Sequence, residues 1–197
     1  MADKHRKPLG DRKAANPRSR PRFRRLATAV ALWLAAVPAA ANDAAVRATL
    51  DALARDDWSA AGAAAERAGD PLPITVRWWR LLYDEPAPAF AELAAFRETR
   101  PHWPRMGRLA TRIEHAALDA DARAVSRHFA RFPPTTAYGR WAAARALRDL
   151  GDTATAAAFA RAAWHESSAF TAGDDAAFLA EFGPVLTAAD HRARLDD

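Results

Sequence analysis

The sequence predicts an all-α protein, an irregular α-solenoid of stacked antiparallel helical hairpins, and three observations carry that expectation. Apolar residues beyond position 41 recur at steps of three and four, and no stretch shows the sustained alternation of a half-buried strand. Alanine fills many of the remaining positions, so helix axes can approach closely. Short links containing Gly or Pro separate the periodic stretches and favour antiparallel neighbours. The repeat is irregular and no period can be fixed, so a tetratricopeptide array is only an approximate comparison.

The elements follow in order. Val46, Leu50 and Leu53 define the buried face of a first helix, opposite Arg47, Asp51 and Arg55, whose charges alternate in sign at each i+4 step. Further helices are predicted near Trp58 to Arg67, Ile74 to Tyr83, Phe90 to Arg100, Arg105 to Ala117 and Asp121 to Phe132. The pattern continues with Tyr138 to Leu150, Thr153 to Trp164, Asp174 to Glu181 and Ala188 to Leu195. In the helix from Tyr138, the residues Ala143, Leu147 and Leu150 share one face and are expected to be buried. Gly69, Gly151 and Gly183 stand where a helix takes a left-handed closing residue, and Thr187 with Asp190 has the spacing of a capping box. Asp56-Asp57 and Asp174-Asp175 precede predicted helices and are read as caps.

The first residues have the layout of an export signal. Ten Lys and Arg precede residue 26, Leu26 to Val37 forms an apolar run, and Pro38 breaks it ahead of small residues. Residues 1–41 are read as a signal peptide cleaved after Ala41, with Ala39 and Ala41 at the peptidase positions, and residues 42–197 as a helical superhelix domain. The run is too short and alanine-rich for a stable membrane span. Arg24-Arg25 raises the twin-arginine route, but arginine pairs are common in such leaders and the general secretory route is favoured. The predicted location is periplasmic.

The net charge of +5 belongs largely to that leader. Of 29 Lys and Arg the leader holds ten, leaving 19, and of 24 Asp and Glu it holds two, leaving 22, so the remainder carries −3. A nucleic-acid partner loses its electrostatic basis. The absence of cysteine excludes disulfides, thiolate nucleophiles and thiolate metal sites.

Candidate chemistry is sparse. His102, His115, His128, His165 and His191 show no zinc-binding spacing, and Ser59, Ser126, Ser167 and Ser168 lie in no nucleophile elbow. No cofactor is predicted. Trp58, Trp78, Trp79, Trp103, Trp141 and Trp164 are numerous and are read as interface packing. Trp103, set in a link between Pro101 and Pro104, is the one candidate for a substrate platform.

From Phe129 to Arg194 a set of elements recurs in a definite order. A Phe-Pro pair precedes Thr135, Thr136 and Gly139, and an Ala/Leu-rich helix is closed by Gly151. Ala163-Trp164, Phe178-Leu179, Phe182-Gly183 and Leu186-Thr187 follow, leading to Asp190-His191 and Arg194. This stretch resembles the helical, non-catalytic part of the soluble lytic murein transglycosylases. The resemblance is weaker from Asp51 to Trp103. It implies a role in peptidoglycan turnover, with peptidoglycan or a periplasmic protein as partner. It also implies that the family's chemistry, in which one glutamate acts as acid and then base, belongs to a lysozyme-like domain with a Glu-Ser motif. His165-Glu166-Ser167-Ser168 contains such a pair, but no Gly-Leu-Met-Gln-like segment follows, and Glu166 is expected to be a solvated residue past a helix end. No residue is therefore assigned as catalytic, and the chain is read as an N-terminal helical segment without the catalytic domain. Two alternatives remain at this stage: a periplasmic helical-repeat adaptor binding a partner protein, and a small glycan-binding module.

Overall fold

The computed structural model describes residues 43–196. The predicted leader, its expected Ala39/Ala41 cleavage site and the Arg24-Arg25 pair lie outside them. The described residues form ten α-helices packed in sequential pairs, with three short 3₁₀ turns and no strand among them. They fall into two compact units divided between Leu72 and Pro73.

The first unit is a helix pair, α1 (Asp43–Leu53) and α2 (Trp58–Ala68). Asp57 caps α2 by accepting from Ala60 N–H at 2.9 Å, and Gly69 closes it with φ +84°. Asp56 is no cap; it turns the chain in a left-handed conformation, φ 56°. The buried stripe of α1 is also shifted from the predicted one. Ala45, Thr49 and Ala52 are buried while Val46, Leu50 and Leu53 are only partly covered. Small side chains let the partner helix close in, and the Thr49 hydroxyl is satisfied by donating to the Ala45 carbonyl at 2.8 Å.

The second unit begins with α3 (Leu72–Tyr83) and α4 (Phe90–Thr99), followed by α5 (Met106–Ala116) and α6 (Ala122–Arg131). It continues with α7 (Ala137–Asp149), α8 (Thr153–His165), α9 (Ala172–Phe182) and α10 (Ala188–Asp196). Asp121, Thr136, Asp152 and Thr171 cap α6 to α9 by accepting from amides of the first turn. The Thr187–Asp190 box forms as the spacing predicts: Thr187 donates to the Asp190 carboxylate and accepts from its amide. Gly151 is left-handed as predicted, φ +90°.

Two ends differ from the sequence reading. Asp174 and Asp175 do not precede α9 but lie in its first turn, because Thr171 with Asp174 makes a complete capping box two residues earlier. Gly183 is right-handed, φ −48°, because Pro184 starts a 3₁₀ turn that closes by Leu186 N–H on the Gly183 carbonyl at 3.1 Å.

Helix α7 is the hub of this unit, packed against α5, α6 and α8. Trp141, Ala142, Ala143, Ala144 and Ala146 are all buried, so it lacks the single buried face the periodicity suggests. It emerges at its C-terminal end, where Leu147 is half-buried and Leu150, expected inside, is 44 % exposed. Tyr138, Trp141, Trp164, Phe178 and Phe182 form an aromatic core with Ala144, Ala160 and Ala163. Trp164 stacks on Phe178 with centroids 5.5 Å apart, and Trp141 meets the same ring edge-on at 5.5 Å.

A buried carboxylate ties α5 to the start of α7. Glu114 is fully buried and accepts from the amide and hydroxyl of Thr135, both at 2.9 Å, and from the amide of Thr136 at 2.8 Å. The Thr136 hydroxyl also donates to it while accepting from Gly139 N–H at 3.1 Å. Four donors surround the carboxylate, which is how a buried charge becomes tolerable. Gly139 must lack a side chain, since a Cβ there would fall inside the Glu114 carboxylate.

His128 of α6 is the other fully buried ionisable group. Its Nδ1 faces Glu98 of α4 at 3.3 Å, and its Nε2 has no hydrogen-bond partner among the rings of Phe90, Phe129 and Phe132. Burial pushes the imidazole below its ordinary value near 6.5, the Glu98 contact opposing and Arg97 and Arg131 adding to the shift.

Three expected outcomes follow from these contacts. Glu114→Ala removes the acceptor of both the amides and the hydroxyls of Thr135 and Thr136 and leaves a cavity in its place, and should cost about 3 kcal/mol in denaturant unfolding, with Gly139→Ala destabilising through the same carboxylate. Ala160→Leu should overpack the aromatic core by about 1–3 kcal/mol. Leu150→Gln at the exposed end of α7 should stay within about 0.5 kcal/mol by the same measurement. For pH, the depressed folded-state value of His128 means that its share of stability is complete above about 6.5 and is lost as pH falls below it, when the unfolded chain takes up the proton first. His128→Leu should flatten the acid limb of a plot of stability against pH; an unchanged slope would assign the limb to other groups.

Candidate functional site

The two residues singled out by sequence lie in different surroundings. Trp103 sits in the 100–105 turn between α4 and α5, half-buried, its ring meeting Phe96 edge-on at 6.0 Å with the Arg100 guanidinium 5.9 Å away. The Trp78 indole donates to the Pro104 carbonyl at 3.1 Å and fixes that turn against α3. The Trp103 ring is thus partly covered by Phe96 and Arg100 and partly open to solvent. Trp78, Trp79, Trp141 and Trp164 are buried and serve the core, and Trp58 is partly covered.

Glu166 terminates α8. Its side chain is 50 % exposed and pairs with the Arg140 guanidinium. Ser167 is buried with its hydroxyl on the Trp164 carbonyl at 2.6 Å, so the adjacent Glu and Ser do not form a unit. An acid catalyst needs a dry pocket that keeps the proton on; Glu166 has the opposite.

Sequence reasoning missed a groove. It is a hollow of about 570 Å³ between the start of α4 and the segment joining α5 to α6. Pro88, Ala89 and Phe90 form one wall, His115 another, and Asp119 and Asp121 lie at the rim. The only hint in the sequence is the Ala-Pro-rich link before Phe90, which presents small side chains. His115 stacks on Tyr138 at 4.0 Å, and burial lowers its ionisation below the ordinary histidine value, against the opposing pull of Asp174 and Glu114. Behind it, Tyr138 donates to Asp174 at 2.7 Å. Burial and that bond push the phenol up to about 12, and the same bond holds Asp174 below the usual carboxylate range. The wall therefore presents a neutral imidazole and apolar surface above two acids. Such a hollow can seat a small apolar or acylated group and hydrogen-bond an amide or hydroxyl; it aligns no nucleophile with a base.

The other histidines near the C-terminal end have structural contacts. His165 contacts Asp190 at 3.0 Å, and Asp190 is held below the usual carboxylate range chiefly by the Thr187 amide. His191 meets Trp164 edge-on. Among the described residues no group of His, Asp and Glu is placed to hold a metal ion, and no helix is long and apolar enough to cross a membrane. Comparison with known proteins gives no matching family model, no matching curated protein and no matching solved structure.

Proposed function

We propose that this chain is the exported, non-catalytic helical segment of a lytic transglycosylase-like protein, which holds peptidoglycan or a periplasmic partner rather than cleaving it. The supporting observation is what the residues of the resemblance do. Thr135 and Thr136 clamp Glu114, and Gly139 makes room for it. Trp164, Phe178 and Phe182 build the core. Thr187 and Asp190 cap α10, and Arg194 lies 3.9 Å over the Trp164 ring while bonding Asp175 at 2.6 and 2.8 Å. A pattern made of packing and capping residues speaks for a scaffold. In this reading the sequential helix pairs stack antiparallel into an irregular right-handed α-solenoid, and residues 1–41 direct the chain to the periplasm.

Catalysis has no seat in this reading. Glu114 is fully enclosed by its four donors, and Glu166 is solvated and paired. The Trp103 platform and the hollow beside Phe90 are the surfaces on which an acylated sugar could rest. The purified protein should sediment weakly with isolated sacculi and release no anhydro-muropeptides on chromatography, with Glu166→Gln indistinguishable from wild type. Product that appears with wild type and vanishes in Glu166→Gln would reverse the assignment. Absence of sedimentation together with capture of a defined periplasmic protein would move it to the adaptor alternative.

A further inference from the structure

The carboxylates from α3 to α5 are engaged, and four arginines beside them, Arg97, Arg100, Arg105 and Arg108, have no carboxylate within ion-pair distance among the described residues; two of these converge on one tyrosine. Between residues 73 and 116 stand seven arginines and five carboxylates, in a chain that beyond its leader is net negative. Glu92 pairs with Arg77 and Arg80, Asp84 with Arg80, and Glu85 with Arg112. Glu98 faces His128, and Glu114 is enclosed by the threonines. Arg105 and Arg108 have no carboxylate within ion-pair distance among the described residues, yet neither is loose. Arg105, in a left-handed backbone conformation with φ 58°, donates to the Tyr83 hydroxyl at 3.2 Å. Arg108 lies over the face of the same ring with its guanidinium carbon 4.4 Å from the centroid, and its Nε donates to the Leu82 carbonyl at 3.0 Å. One tyrosine thus orients two exposed guanidinium groups.

We propose that Tyr83, Arg105 and Arg108 form a binding site for an oxyanion, the carboxylate or phosphate group of a soluble ligand. Each guanidinium uses one N–H to hold its place and keeps a free donor edge of the kind that grips carboxylate or phosphate in two-point fashion. Two like charges held against one ring repel each other, and an anion between them removes that cost. Ring stacking restrains Arg108 and the hydroxyl bond restrains Arg105 beforehand, so less rotamer freedom is lost on binding. Arg100 in the neighbouring turn, which also has no carboxylate partner, adds to the local positive field. The site makes no use of the peptidoglycan reading and stands or falls separately from it.

The test is residue-resolved, because the basic leader of the full chain also attracts anions. Arginine Nε–Hε resonances of the full-length protein are followed while inorganic phosphate, and separately galacturonate, is added at constant ionic strength. Arg105 and Arg108 should shift together and saturate along one curve. Arg105→Gln/Arg108→Gln should weaken binding at least tenfold, Tyr83→Phe about threefold, and the control pair Arg123→Gln/Arg127→Gln should leave the affinity unchanged. Response to one probe or to both supports the site and tells which oxyanion it takes. Equal, non-saturating shifts across Arg123, Arg127 and the leader arginines, or equal loss in the control pair, would mean general screening and overturn the proposal.

Discussion

The constraint on which the second unit depends is the burial of one negative charge. An ionised carboxylate taken out of water is costly unless donors replace its hydration, and Glu114 receives all of its donors from a four-atom-wide patch of two consecutive residues, Thr135 and Thr136. That requirement fixes the turn before α7 to the last turns of α5. It also fixes Gly139 one turn later, because the helix backbone passes where any side chain would strike the carboxylate. Once the N-terminus of α7 is set in this way, its rotation is set too, and Tyr138 and Trp141 are delivered to the aromatic core while Ala142 and Ala146 lie buried against its neighbours. The hollow beside His115 inherits its shape from the same clamp, since His115 follows Glu114 directly and stacks on Tyr138.

Much of this was legible in the sequence for a local reason. Caps and closures are decided within a few residues, so Asp57, Gly69, Gly151 and the Thr187–Asp190 box are where their types and spacing place them. Gly183 and Asp174 departed because a second local rule overrode the first. Pro184 turned one end into a 3₁₀ closure, and Thr171 offered a cap upstream of the aspartates. Competing short-range signals are visible in sequence, but their ranking depends on which backbone amides the neighbouring helix leaves unsatisfied.

What was not legible is non-local. The periodicity of α7 assigns Leu150 to the core, whereas burial there follows the lateral position of α5, α6 and α8, which cover the first turns of the helix and leave the last open. Glu114 reads as an ordinary surface glutamate in a polar helix; only the interior glycine at Gly139, one turn beyond two threonines, hints that something approaches closely. The hollow beside Phe90 has no motif at all, being the space that alanines at Ala89, Ala116 and Ala120 fail to fill. In a chain this rich in alanine, concave surface arises wherever no aromatic ring happens to be supplied.

That last point bears on the Lys and Arg residues, which beyond residue 41 are all arginine. Rings fill the gaps between alanine-lined helices, and guanidinium groups then lie over the rings: Arg97 over Phe132 at 4.5 Å, Arg148 over Phe182 at 5.1 Å, Arg194 over Trp164 at 3.9 Å. A planar cation can cover a ring and still present N–H groups sideways to a carboxylate, as Arg148 does to Glu181 and Arg194 to Asp175. A lysine could not do both, so arginine usage here belongs to the packing scheme as much as to the surface charge. At Tyr83, Arg108 keeps the ring half of that scheme while Arg105 holds the hydroxyl of the same ring, and neither has the carboxylate half. The free donor edges that result set this pair apart from Arg148 and Arg194, and both are oriented by one tyrosine whose cost of ordering is met within the fold itself.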